Sequence, residues 1–164
     1  MKKALFIMFV AIVSFAIANP VFSQAVSEAF QNTPSTTFYT LVEVSTDFET
    51  TLENVKTELK KQGFGVVSEI NMQEKLKNGA NKDIPKYVIL GACNPEGAYK
   101  ALQVEENIGV ILPCNVIVRE TKEGGVVVAA VNPLVTMKAT GEEDLKPLAE
   151  EIAGKLKKVL NNLK

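Results

Sequence analysis

The sequence predicts an α+β protein: a two-layer sandwich with helices packed on one face of a mainly antiparallel sheet, in the order β-α-β-(short α)-β-α-β-β-α. Three observations lead there. Lys122-Glu123-Gly124-Gly125 lies between two β-rich runs, and glycine tolerates the positive φ of tight hairpins, so the flanking strands are antiparallel neighbours. The chain then closes in one long amphipathic segment instead of crossing over to a further parallel strand. Finally, 164 residues with 46% apolar and 23% charged side chains suit one globular core rather than a disordered polymer.

Lys2 and Lys3 precede an apolar run from Ala4 to Ala18 broken only by Ser14, the layout of a secretory signal peptide. The run is short of the roughly 20 apolar residues that span a bilayer comfortably. Small residues at Ala16 and Ala18, or Val21 and Ser23, place cleavage between 18 and 25. The expected organisation is a leader over 1–23, a polar linker over 24–37 and a single domain over 38–164. An exported protein follows, periplasmic or extracellular, with no membrane attachment after cleavage. Losing the two leader lysines moves the net charge from −1 to −3. Such a surface offers no cluster of cations for a phosphate backbone, so no nucleic-acid partner is expected.

Tyr39, Leu41, Val42 and Val44 make the first strand, and Thr46 with Glu49 three residues on reads as a capping box. Phe48, Leu52, Val55 and Leu59 then recur at helical spacing and form a core stripe, closed by Lys60, Lys61 and Gly63. Phe64 to Ile70 reads as a strand. Asn71 to Asn81, with Met72 and Leu76 four apart, supports one or two helical turns before Asp83-Ile84-Pro85 breaks them. Tyr87 to Leu90 is apolar without alternation, as in a central strand. Asn94 caps and Pro95 opens a helix reaching Val104, expected to bury Ala98, Ala101 and Leu102. Ile108 to Leu112 is apolar, Pro113 interrupts it, and Cys114 to Thr121 resumes as a strand that pairs with Val126 to Val131. In the last helix Leu145, Leu148, Ile152, Leu156, Val159 and Leu160 share a stripe. Acids stand at its head, and Lys155, Lys157 and Lys158 complement the dipole at its tail.

Histidine is absent from the sequence, which removes Ser-His and Cys-His nucleophile pairs and the usual zinc and haem ligands. No dinucleotide or phosphate-binding glycine loop occurs either. The chemical accent falls on Cys93 and Cys114, each followed by an asparagine, Asn94 and Asn115. Three readings stand side by side. The cysteines form a disulfide after export, closing about 20 residues for on the order of 3 kcal/mol. Or they pack as inert buried thiols, and the protein is a structural interaction module. Or they act, because Cys93 precedes a helix N-terminus that stabilises a thiolate. An active pair exchanges disulfides, as a redox enzyme using Cys93, or holds a soft ion such as Cu(I) with Met72 or Met137 as third ligand. Asn94 and Asn115 either satisfy the backbone or present donors to a small ligand.

These same residues carry a resemblance. Gly63-Phe64-Gly65-Val66, Gly91-Ala92-Cys93-Asn94-Pro95, Ile108-Gly109 and Leu112-Pro113-Cys114-Asn115-Val116, in this order before a long helix, resemble the domain of unknown function 302 family from about Phe38 to Leu163. The resemblance implies a compact α+β domain, often a homodimer, with no established activity or assigned site. It also implies that cysteine motifs of this kind occur in relatives without a leader, so the cysteines serve as more than an extracellular staple. The preferred expectation is an exported, non-enzymatic protein that binds a small molecule or metal, or assists redox chemistry, at Cys93, Asn94, Cys114 and Asn115.

Overall fold

In the computed structural model the described residues are 37–164; the expected leader over 1–23 and the linker, Thr37 apart, lie outside them. Five strands, β1 (Tyr39–Val44), β2 (Gly65–Asn71), β3 (Tyr87–Cys93), β4 (Cys114–Glu120) and β5 (Val126–Val131), form one sheet in the order β1-β5-β4-β3-β2. Every neighbouring pair is antiparallel. The β4–β5 turn falls where the glycines predicted it: Thr121 N–H donates to Gly125 C=O at 2.8 Å, and Gly124 takes φ +88°.

Alternation sorts the strand residues into two faces. Val42, Val88, Leu90, Ala92, Cys114, Val116, Val118, Val128 and Ala130 face the helices and join the core. The helices contributing most to it are α1 (Phe48–Lys61), through Phe48, Val55 and Leu59, and a C-terminal helix over Lys146–Asn161, through Leu148, Ile152, Leu156, Val159 and Leu160. The stripe expected for that last helix is buried from Leu145 to Leu160. Two helices lie between: α2 (Met72–Ala80), which buries nothing fully, and α3 (Pro95–Val104); a short α4 (Pro133–Thr136) precedes the last helix, α5. Among the described residues no helix is long and apolar enough to cross a membrane.

Local details depart from the expectation in four places. The N-cap of α1 is Asp47, which accepts from Thr50 N–H at 2.9 Å and from Thr50 Oγ1 at 2.7 Å. Thr46 is drawn away, its hydroxyl joined to that of buried Thr51 at 2.7 Å, and Glu49 turns to Lys86. α2 runs nine residues, longer than one or two turns, because Asn71 caps its start and Asn81 adopts φ +51° at its end. The apolar stretch before Pro113 is a 3₁₀ segment, Glu106–Ile111, of which only Ile108 is buried. Leu102 is 45% exposed, and α3 instead turns Gly97 and Ala101 inward.

Candidate functional site

The register determines which of the expected residues meet. In the β3–β4 ladder Ala92 stands opposite Cys114, and in the β2–β3 ladder Gly65 stands opposite Cys93. Cys93 is therefore the last residue of its strand and Cys114 the first of the next, at one end of the sheet where α3 begins. Both line a narrow cleft of about 20 Å³, walled by Phe64, Leu112, Met137 and Ile152. Cys114 is buried, whereas Cys93 is half-exposed, and both thiols are free. Of the three readings, the disulfide is therefore not the state found here.

Burial pushes the Cys114 thiol from its ordinary 9.0 up to about 11, with the charge of neighbouring Cys93 adding to the effect. Cys114 is a protonated thiol at neutral pH. As an unassisted nucleophile it is poorly suited, since the thiolate is the reactive form. Near the mouth of the cleft, Asn94 accepts from Gly97 N–H at 2.8 Å and donates to Gly63 C=O at 2.9 Å. Its amide is thus engaged at both ends, capping α3 and tying the α1–β2 turn to it. That is the backbone-satisfying role rather than the ligand-presenting one.

Two expected participants lie elsewhere. Asn115 is exposed and lines a groove on the opposite face of the sheet, because it follows Cys114 on a strand whose side chains alternate. Met72 sits just beyond Asn71, which pairs with Val88, while Cys93 pairs with Gly65 at the other end of β2. Six residues of strand separate those ends by roughly 20 Å at about 3.3 Å per residue, so Met72 is no third ligand to the cysteines. Met137 is different. It is buried, lines the cysteine cleft, and also lines a neighbouring cavity of about 170 Å³ bordered by Lys138, Glu142 and Lys146.

The cleft includes residues that the sequence reading missed: Phe64, Gly97, Leu112 and Ile152. One signal was available for Gly97. A glycine in the first turn of a helix points to a close approach, and a Cβ there would lie 3.0 Å from Ile152 Cδ1. Among the described residues no group of three His, Cys, Asp or Glu side chains is placed to hold a metal. The soft donors available around the cleft are the two thiols and the Met137 thioether.

A family model described as Domain of unknown function DUF302 matches residues 41–163. Similarity extends to a solved structure, the crystal structure of an uncharacterized conserved protein DUF302 from Bacillus stearothermophilus. The two are 29% identical with a TM-score of 0.73, over 77% of this chain and 98% of that one. No match was found among curated proteins.

Proposed function

We propose, for a chain that belongs to the domain of unknown function 302 family, that this is an exported accessory domain holding one soft ion such as Cu(I) between Cys93 and Cys114, with Met137 as the third donor. The observation that carries this reading is the shared cleft, which all three residues line. Thiolate and thioether sulfur are the donors that select Cu(I), and a hard cation would find no oxygen cage in this cluster. Size argues the same way. A cavity needs roughly 10–15 Å³ to admit one water, so about 20 Å³ suits a single ion and excludes an organic substrate. Export is part of the proposal and rests on the leader pattern of residues 1–23.

Both thiols must lose their protons to bind, and Cys114 gives up its proton reluctantly, so affinity rises with pH. Anaerobic titration of the purified protein with Cu(I) against a competing chelator is expected to show one ion per chain. Cys93→Ser and Cys114→Ser should each abolish tight binding, Met137→Leu should weaken it, and Asn115→Ala should leave it unchanged. Stoichiometric binding that survives Cys114→Ser would overturn the assignment. The second reading, reversible joining of the thiols with Cys93 attacking first, draws on their nearness: Cys114 pairs in register with Ala92, the residue just before Cys93. It gains ground if the protein binds no Cu(I) yet forms an intramolecular disulfide in a glutathione buffer and exchanges it with a disulfide substrate.

A further inference from the structure

The side of the sheet facing away from the helices carries a second site, built around the only arginine in the sequence. The chain places seventeen lysines and a single arginine, Arg119. Arg119 lies on β4 opposite Tyr87 on one side and Val127 on the other. It is half-buried, and among the described residues its guanidinium makes no ion pair or side-chain hydrogen bond. The contrast with Lys86 on the helix side is informative, since that lysine meets both Glu49 and Glu120. The acid on Arg119's own row is Glu43, which pairs in register with Val127 and so stands two strands away.

Arg119 lines one end of a groove of about 390 Å³. Moving along β4, the next residue on this face is Ile117, flanked in register by Ile89 and Ala129, with Leu41 beyond Ala129. Asn115 comes last, and Tyr39 and Tyr87 add aromatic surface. From Arg119 to Asn115 is four residues, or roughly 13 Å at about 3.3 Å per residue. The groove is thus ordered: a guanidinium, an apolar middle, and an amide at the far end. Leu41 and Tyr39 remain 43% and 38% exposed, apolar area that an occupant would remove from water.

We propose that this groove binds a small monocarboxylate with an extended apolar tail, the carboxylate paired with Arg119 and the tail lying over Ile117 and Ala129 toward Asn115. The charge selects the head group. One guanidinium in apolar surroundings neutralises one negative charge and matches a carboxylate through two parallel N–H···O bonds. A phosphate would need further cations, and among the described residues the groove lining contains only this one. Pocket chemistry fits a small ligand too: a mainly apolar wall with few polar groups, in the size range of ordinary ligand sites. The site is separate from the cysteine cleft, with the sheet between them.

The test is equilibrium binding of decanoate to the purified protein, followed by calorimetry and tyrosine fluorescence. Saturable binding at one site per chain is expected, with decanol and decyltrimethylammonium at least tenfold weaker. Arg119→Gln and Arg119→Lys should each lose at least tenfold, and Cys93→Ser should have no effect. The ligand series on the unmodified protein decides the head-group claim even if an arginine variant folds poorly. Equal affinity for decanoate and decanol, or no saturable binding, would overturn the proposal. So would sedimentation showing a dimer that decanoate does not disturb and that Glu43→Arg dissociates, because the face would then belong to a second copy of the chain.

Discussion

At the scale of single residues, Cys114 is where burial and chemistry pull against each other. Its side chain is 8% exposed, beneath α3 and α5, and the thiol is pushed up to about 11. The sign of the consequence follows from linkage. An unfolded chain loses this proton near the ordinary 9.0 while the folded chain keeps it, so the contribution is intact below pH 9 and disappears as the pH rises toward 11. A shift of this size corresponds to on the order of 2–3 kcal/mol. Urea unfolding at pH 8 and pH 10.5 should therefore show a loss of stability in the parent that Cys114→Ala does not share. If the two proteins lose stability in parallel, the thiol is not the group responsible. The same burial makes Cys93, the half-exposed member, the first to be alkylated under native conditions.

At the scale of elements, the joint that positions the cleft is the start of α3, where one asparagine side chain holds two segments of chain together. Replacing Asn94 with Ala removes the cap on Gly97 N–H and frees Gly63 C=O, for a combined cost of roughly 1–3 kcal/mol. Denaturant melts should register that loss, and Asn94→Asp, which keeps the cap but not the donor to Gly63, should fall between. Most elements were legible in the sequence because their signals are local: the Asn94-Pro95 start, the Gly124-Gly125 turn, the 3.6-residue stripes of α1 and α5. The rotation of α3 was not, since Leu102 is the most apolar choice but close contact with Ile152 favours the smallest face, Gly97 and Ala101. The cap of α1 moved from Thr46 to Asp47 for a related reason. Thr51, one turn later, is buried and takes the Thr46 hydroxyl as its partner.

Across the whole molecule, what the sequence hides is which face and which end of the sheet a residue reaches. Cys93 and Cys114 could be paired as a motif, but only the β3–β4 register puts them at one corner, and only the alternation of β4 sends Asn115 to the opposite side. Met72 and Met137 were indistinguishable as sulfur donors until the length of β2 separated the first from the cleft and the turn after β5 delivered the second to it. Long-range closure of the helical layer rests on comparable pairings. Glu58 of α1, nearly buried, accepts from Asn162 just past α5 at 2.8 Å and pairs with Lys61 at 2.6 Å. Lys61 first, then Asn162, holds the Glu58 carboxyl below its ordinary 4.5. A carboxylate with a lowered folded pKa stabilises above its unfolded pKa and ceases to do so as the pH falls through the folded one. Asn162→Ala should therefore lower Tm by a few degrees at pH 7, and the gap to the parent should narrow as the buffer is taken down to pH 3. A gap that stayed constant over that range would mean that Asn162 acts through packing of the C-terminal turn and not through the Glu58 charge.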